Sequence, residues 1–332
     1  MDSWQDRLIQ QWGVWRERWA LADHAAVLFS LFLLCLLLQL AFGWYWSREP
    51  ESFAVAASDS GHAPPGVVLA ETLARVSGTL LDKRGGYLRN DMLPPGLFLD
   101  NIPAWELGVL HQVRDMTRAL HRDMSLSHAQ FIEDADLAVA ETAFNANADS
   151  WVLPAAEGEF RRGSESVAAY GRRLAAGKDA RFYPRAIYLQ HWLGDATANL
   201  GRLSARLNAA LPDTPTVVVG EGVRVLPRLE ETSWWQVDDV FYEARGSAWA
   251  LLHLLKAVEV DFGPELARQQ AGLSLRAAIH ELEATQQAVW SPVILNGSGF
   301  GLFANHSLVM ANYLNRAQTD LADVEGLLQA PR

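Results

Sequence analysis

Hydrophobic and polar positions follow a different pattern in each part of this chain. Residues 25–47 (AAVLFSLFLLCLLLQLAFGWYWS) contain no charged side chain. About 20 consecutive apolar residues are enough for a helix to cross the hydrocarbon core of a bilayer, because a helix pairs its own backbone groups there. The segment therefore predicts one transmembrane helix near the N-terminus.

The residues before that helix have an amphipathic pattern. On a helix that advances about 100° per residue, one narrow stripe contains Trp4, Leu8, Trp12, Trp15 and Trp19. Indole rings favour the headgroup level of a membrane, which predicts that residues 1–24 lie along the cytoplasmic membrane surface. Docking of the same stripe on a partner helix is the alternative.

Charged residues on either side of the apolar run predict its orientation. Three arginines precede the run, whereas Arg48 is followed by no further basic residue until Arg75. Positively charged flanks remain in the cytoplasm, so the N-terminus is expected there. The remainder, 48–332, is then expected outside, which in a bacterium means the periplasm.

A cleaved signal peptide is the alternative to a resident anchor. Ala54-Val55-Ala56 has the spacing of small residues found at cleavage sites. However, the apolar run is longer than an ordinary signal, and it ends in an aromatic belt that includes Trp44 and Trp46. The anchor is therefore the preferred interpretation, in the inner membrane with a single pass.

Beyond the anchor the pattern is helical, apart from two stretches. Residues 48–65 are small, polar and proline-ended, which predicts a flexible tether. Apolar positions then recur at spacings of three and four, which predicts two helical lobes, 66–211 and 234–332. The linker between them, 212–233, carries short valine-rich runs around Gly-Glu-Gly, typical of a β-hairpin near 216–226. The predicted fold is all-α, a multi-helix periplasmic bundle on a single N-terminal transmembrane helix.

Several of the eight helices predicted outside the membrane have recognisable ends. The pattern predicts a first helix over 68–81 and a second that Asn101 caps. Ser127 begins a helix that runs to about Asn147, and one continuous helix is predicted over 268–289.

Composition limits the compartment and the partners. The single cysteine, Cys35, lies within the apolar run, so the outer domain has no disulfide. The formal net charge of −11 argues against nucleic acid or anionic lipid as a partner of that domain. The lipid bilayer around the anchor and an envelope protein are the expected partners, and the oligomeric state stays open.

The irregular stretch 85–103 is the first candidate binding site, because long ordered loops on a helical scaffold often carry binding residues. Its polar and aromatic candidates, with the start of the next helix, are Tyr87, Arg89, Asn90, Asp91, Asp100, Asn101, Trp105 and Glu106. The alternative is that its asparagines and aspartates only cap helices and close turns.

A second candidate is the start of a long helix, where Asp238 and Asp239 follow Trp234 and Trp235. Paired carboxylates with tryptophans are typical of glycan-binding or glycan-hydrolysing clefts. Adjacent helical residues point about 100° apart, so one aspartate would need a partner such as Glu106. The structural alternative is that both carboxylates stabilise the positive end of the helix dipole.

Searches for other chemistry give no site. A cluster of His111, Asp115, His121, His128 and Glu133 contains metal-ligating side chains, but a solvated helix face explains it better. The chain lacks a nucleophile elbow, a zincin motif and a glycine-rich phosphate loop. The sequence therefore predicts no catalytic residue, no metal and no cofactor.

Long stretches of the chain also resemble a known family. These are GGYLRNDMLPPG, DNIPAWELGVLHQVRD, SWVLP, WWQVDDVFYEARGSAWALLHLLKAVEVDF and SPVILNGSGFGLFANHSLVMANYL. They resemble DUF2333, a family of uncharacterised proteobacterial inner-membrane proteins. The resemblance implies a single-pass envelope protein of a Gram-negative cell and supplies no catalytic or binding residues.

Two functions remain after the sequence analysis. The first is a non-enzymatic inner-membrane protein whose periplasmic helical domain binds or scaffolds an envelope partner. The alternative is a membrane-anchored cell-wall glycan-binding protein or hydrolase that uses paired carboxylates.

Overall fold

The computed structural model describes residues 26–55, 64–126, 132–152, 154–209, 237–287 and 306–329. Several predicted features lie outside the described residues. They are the amphipathic segment with Trp12, Trp15 and Trp19, the hairpin near 216–226, and the residues Trp234, Trp235 and His128.

Within these ranges the chain forms ten α-helices and no β-strand, so the all-α prediction is confirmed for the described residues. The helices are α1 (Ala26–Trp46), α2 (Val67–Asp82), α3 (Asn101–Ala119), α4 (Ala135–Phe144), α5 (Ala156–Ala175), α6 (Ala186–Ala209), α7 (Val237–Asp261), α8 (Gly263–Arg268), α9 (Gly272–Thr285) and α10 (His306–Gln329). A single π-helical turn, Leu120–Met124, extends α3.

Helix α1 is the described helix that is long and apolar enough to cross a membrane. Its most apolar window is not buried at all by the rest of the protein. Its length and composition are compatible with a membrane anchor or with a signal sequence.

Three predicted helix ends are wrong. Asp100, rather than Asn101, caps α3, since its Oδ1 accepts a hydrogen bond from the Asn101 amide at 2.8 Å. Helix α4 begins at Ala135 rather than Ser127, because the Asp134 side chain accepts bonds from the first-turn amides. The helix predicted over 268–289 is interrupted at Gln270, whose φ of +57° ends α8 before α9 begins. A short α8 thus explains why nine described helices follow α1 rather than eight.

Helix α7 is the centre of the bundle and crosses α3 at very short range. A Cβ added at Gly108 of α3 would lie 2.0 Å from the Glu243 carbonyl oxygen of α7. A Cβ added at Gly246 of α7 would lie 2.0 Å from the Trp105 carbonyl oxygen of α3. Only glycine allows the two backbones to approach this closely.

The two predicted lobes pack into one body. Helices α3 and α6 of the first region contact α7 and α10 of the second, and all four contribute to one hydrophobic core. A buried polar chain also links them, because the Gln112 amide donates to Ser247 Oγ, which donates to Asn199 Oδ1. No separate second core is visible in the described residues.

Candidate membrane-proximal site

The chain leaves α1 as an extended segment, residues 48–55, that lies along α7. We call this segment the strap. Glu49 contacts Arg245, and Phe53 contacts His253. Four residues of extended chain span about 13 Å, and the eight helical residues from 245 to 253 span about 12 Å. The strap therefore runs parallel to α7, and the N-terminal end of α7 is the end nearer α1.

Arg245 holds the first part of the strap. Its guanidinium binds Glu49 at both carboxylate oxygens, with Nε to Oε1 at 2.9 Å and Nη2 to Oε2 at 2.6 Å. The remaining nitrogen, Nη1, donates to the carbonyl oxygens of Thr285 and Gln287 at the end of α9. Arg245 is buried, so this fork is a shielded, bidentate ion pair of the strong kind.

His253 holds the second part of the strap. The Phe53 backbone N–H donates to Nε2 at 3.0 Å, and Nδ1 donates to the Trp249 carbonyl oxygen at 2.6 Å. The Phe53 ring stacks on the imidazole with a centroid separation of 3.9 Å. An Nε2 that accepts a bond carries no proton, so His253 is neutral, and burial lowers its pKa to about 4.

These contacts correct the prediction of a flexible tether over 48–65. Residues 48–55 are fixed at two points by buried side chains of α7, and residues 56–63 lie outside the described part. The small and polar composition predicted flexibility, because composition does not reveal that Glu49 has a buried partner almost two hundred residues away.

The base of the α2–α3 loop (residues 83–100) is attached to one buried carboxylate. Glu106 of α3 accepts bonds from the backbone amides of Leu88 and Arg89 at 2.9 and 2.8 Å. Its Oε1 also lies 2.5 Å from Nζ of Lys83, and both side chains are almost completely buried. Burial raises the pKa of Glu106, while Lys83 and the two amide donors act in the opposite direction.

Three more predicted candidates fix the loop to the segment between α4 and α5. Tyr87 donates to the Ala148 carbonyl oxygen at 3.0 Å, and the Asn90 amide donates to the Ser150 carbonyl oxygen at 2.8 Å. Arg89 forms an ion pair of 2.9 Å with Asp149. Tyr87 and Asn90 are buried, so they position the loop and are not free to bind a ligand.

Trp105 and Glu106 are also core residues. The indole of Trp105 is fully buried, and its ring centroid lies 5.2 Å from that of Trp249. Glu106 has no exposed surface. Neither residue can stack on a sugar or act as one of a pair of carboxylates in an open cleft, which removes the partner that the hydrolase alternative required.

Asp100, Asp238 and Asp239 come together at the N-terminal end of α7. The pKa of Asp239 is raised, first by burial and then by the charges of Asp100 and Asp238. Asp100 caps α3, and the other two lie in the first turn of α7. Carboxylates at the N-terminal ends of two helices are stabilised by the helix dipoles, the structural role considered for this pair.

The tip of the α2–α3 loop has a different character. It exposes four large apolar side chains, with exposed fractions from 55% to 75%, namely Met92, Leu93, Leu97 and Phe98. The tip also reaches α1, since a Cβ added at Gly43 would lie 3.8 Å from Pro95 Cβ and 4.0 Å from Leu99 Cδ2. Asp91 lies at the base of the tip, and burial raises its pKa.

A polar cleft of about 740 Å³ lies beside the strap, between the strap, α2 and α5. Its charged lining residues are evenly divided between cations and carboxylates: Arg48, Arg75, Lys83 and Arg84, and Glu49, Glu51, Asp82 and Glu165. Such a lining favours a ligand or a protein surface that itself carries both charges.

Two arginines of this cleft contact the aromatic belt of α1. The Arg48 guanidinium lies 4.0 Å from the Trp44 ring centroid, and that of Arg84 lies 5.3 Å from the Tyr45 ring centroid. Neither has a carboxylate partner within the described part of the chain. The cleft was not predicted from the sequence, although the basic and acidic run at 48–51 directly after the aromatic belt was a signal for it.

The metal-ligating side chains considered from the sequence form no common site among the described residues, and His128 lies outside those residues. His111 Nδ1 lies 3.8 Å from Glu243, whereas His121 Nδ1 lies 2.6 Å from Glu141, which also binds Arg122. Asp115 forms an ion pair with Arg118, and burial raises its pKa. Among the described residues, no three such side chains form a site suited to a metal ion.

The chain belongs to the family DUF2333, described as an uncharacterized protein conserved in bacteria, which it matches over residues 19–331. The resemblance noted from the sequence is thus confirmed. No curated protein and no solved structure matches the chain.

Proposed function

We propose that this protein is a single-pass inner-membrane protein whose helical domain lies in the periplasm and binds or scaffolds another component of the cell envelope. The observation that carries the proposal is the continuous connection between α1 and the bundle. The most apolar window of α1 is not buried by the rest of the protein, yet the last turn of α1 contacts the domain that follows.

That connection favours a resident anchor over a cleaved signal. A signal peptide leaves the mature protein, so the mature domain has no reason to build contacts to it. Here Gly85 lies against the Trp46 ring, and Arg84 lies over the Tyr45 ring. The Arg245 and His253 contacts then continue the attachment through the strap.

A domain fixed in this way presents one constant face to the membrane. Binding by scaffold proteins gains affinity when the surface is already ordered, because less conformational entropy is lost on association. The cleft beside the strap lies on this face, and its mixed lining suits a partner with paired charges. We therefore place partner binding at the cleft.

The topology can be tested in intact cells by fusing a reporter that is active only in the periplasm after residue 332, and the same reporter before residue 1. Activity of the C-terminal fusion with no activity of the N-terminal one is expected. The opposite pattern would overturn the orientation, and release of the domain as a soluble protein would show that α1 is cleaved.

The binding surface can be tested with a photo-crosslinking amino acid in the full-length protein at native expression. Glu51 is exposed at the cleft, and Leu273 is exposed at the start of α9 and serves as the control. One envelope protein crosslinked at position 51 and absent at 273 is expected. Equal labelling at both positions would contradict a specific site, and recovery of glycan alone would favour the glycan-binding alternative.

A further inference from the structure

The exposed apolar tip of the α2–α3 loop has no explanation within the bundle. Its base is held by buried hydrogen bonds from Leu88 and Arg89 to Glu106, so the loop is ordered and its exposure is not a consequence of missing contacts. Four large apolar side chains that remain in water on one short loop are unfavourable, and exposed apolar patches commonly mark a contact surface.

The loop follows α1 toward the membrane. At its start, a Cβ added at Gly85 would lie 2.8 Å from Trp46 Cγ. At its tip, Pro95 and Leu99 lie beside Gly43. Gly43 precedes Trp46 by three residues, which is about 4.5 Å along a helix axis. The tip is therefore deeper along α1 than the start of the loop.

Along the axis of α1, the tip of the loop lies at the same height as the aromatic belt. Trp44 and Tyr45 lie within the same last turn of α1 as Gly43 and are exposed. Tryptophan and tyrosine concentrate at the boundary between headgroups and acyl chains. Arg48 and Arg84 lie over the rings of this belt, where a guanidinium meets lipid phosphate.

We propose that the tip of the α2–α3 loop, through Met92, Leu93, Leu97 and Phe98, inserts into the outer interfacial layer of the bilayer that α1 spans. The loop is then a second membrane contact, which restrains the domain from tilting relative to the membrane. This inference rests on the proposed membrane anchoring, because without α1 in a bilayer the tip has no defined depth.

The inference can be tested by fluorescence quenching with the full-length protein in vesicles of phosphatidylethanolamine and phosphatidylglycerol. The single native cysteine, Cys35, is exposed on α1 and is labelled directly with an environment-sensitive dye to report on the anchor. In a Cys35→Ser background, the same dye is attached after Phe98→Cys or Leu93→Cys. The matched control is Leu273→Cys, since Leu273 is 76% exposed and Phe98 is 75% exposed.

Leu273 is a suitable control because it lies at the far end of α9. The Thr285 carbonyl oxygen at the other end of α9 binds Arg245, the residue that holds the strap near α1. Twelve helical residues, about 18 Å, separate the two positions. An exposed apolar position of the same kind is thus available away from the last turn of α1.

Lipids that carry a nitroxide near the headgroup are expected to quench the dye at positions 98 and 93 several-fold more strongly than at 273. Lipids with a nitroxide deep in the acyl chain are expected to quench the dye at Cys35 most strongly. Quenching at Cys35 together with equal, weak quenching at 98, 93 and 273 would overturn the inserted tip and leave the anchor intact. Weak quenching at Cys35 would instead overturn the membrane anchoring on which the proposal rests.

Discussion

Two irregular segments adjoin the last turn of α1, and they differ in how much of their apolar side chains is exposed. The strap packs Phe53 between the imidazole of His253 and the guanidinium of Arg75, each about 3.9 Å from its ring centroid. The tip of the α2–α3 loop leaves Phe98 75% exposed. Both segments are nevertheless held by buried charged or polar residues of the bundle.

The difference shows that an irregular segment of this protein can either pack or expose its apolar side chains. Where the chain lies against α7, its aromatic side chain Phe53 is partly buried and packs against the core. Where the chain lies against α1, its apolar side chains point away from the protein. Most of helix α1 is itself exposed and apolar, so the tip adds to an apolar surface that suits the proposed membrane contact.

The largest effect on stability is expected from a substitution of Glu106, which holds the base of the loop. Glu106→Gln removes the negative charge opposite Lys83 and leaves a buried ammonium group without compensation, which costs about 3–5 kcal/mol of the free energy of unfolding. Urea unfolding of the full-length protein in detergent measures this loss in the free energy of unfolding. Glu71→Gln, on the exposed side of α2, is the control and should change stability by less than about 0.5 kcal/mol.

A loss as small as that of the control would show that the loop base does not depend on Glu106. The loop and the strap would then differ in how firmly they are held, as well as in what they expose. Limited proteolysis within 85–100 provides a second readout, since release of the Leu88 and Arg89 amides should open the loop to cleavage before the core unfolds.

The second-largest effect is a change of stability with pH, and it arises from His253, which holds the strap. The pKa of His253 is about 4 in the folded protein, below its ordinary value of 6.5, so the unfolded chain binds more protons between these values. This group therefore stabilises the fold fully above pH 6.5 and loses up to about 3 kcal/mol as the pH falls to 4.

Asp261, which ends α7 and accepts a hydrogen bond from the Leu69 amide, acts with the opposite sign. Burial raises its pKa to about 6 from 3.8, so its contribution falls as the pH rises through that range. The two contributions offset each other in the native protein. We expect Asp261→Asn to unmask the His253 contribution as a stability that increases from pH 4 to 6.5, measured by urea unfolding at each pH.

If the stability of Asp261→Asn does not change between pH 4 and 6.5, the result would contradict a neutral His253 that accepts a hydrogen bond from the Phe53 amide. The companion variant is the double change Asp261→Asn with His253→Gln, which removes both groups. The double variant should lack the His253-dependent rise in stability that the single variant shows, because neither of these two groups remains.

The sequence predicted the helices well and their ends less well. Apolar periodicity reports which face of a helix is buried, so the helix predicted over 68–81 agrees with Val67–Asp82 to within one residue at each end. Caps depend on a single side-chain geometry, so the choice between Asp100 and Asn101 was not visible in the pattern. The break between α8 and α9 depends on one residue in a left-handed conformation.

The sequence identified two groups of candidate residues that lie near each other, but it did not predict their structural roles or the cleft. The loop and the acidic start of α7 do come together, as the influence of Asp100 on the pKa of Asp239 indicates. However, Glu106 and Trp105 are core residues, because the Gly108–Gly246 crossing brings their helix directly against α7. A contact between residues more than a hundred positions apart leaves no trace in local spacing, and the same reason hid the partners of Glu49 and Phe53.

The third-largest effect concerns Phe53, the aromatic side chain of the strap. Phe53→Ala removes a ring that stacks on His253 and lies under Arg75, and we expect a loss of about 2–3 kcal/mol. The value is below that for a fully buried phenylalanine, because Phe53 is only partly buried. Unfolding in urea measures the loss. An unchanged stability would mean that the strap is held by its Glu49 and backbone contacts alone.

The smallest effect on stability is expected from the same substitution at the loop tip. Phe98→Ala removes an exposed ring that contributes little to the core, so the free energy of unfolding in detergent should change by less than about 0.5 kcal/mol. In vesicles the same variant should lower the dye quenching measured at Leu93→Cys, because less apolar surface remains to hold the tip at the interface. A large loss of stability in detergent would instead place Phe98 in the core, and the two segments would no longer differ.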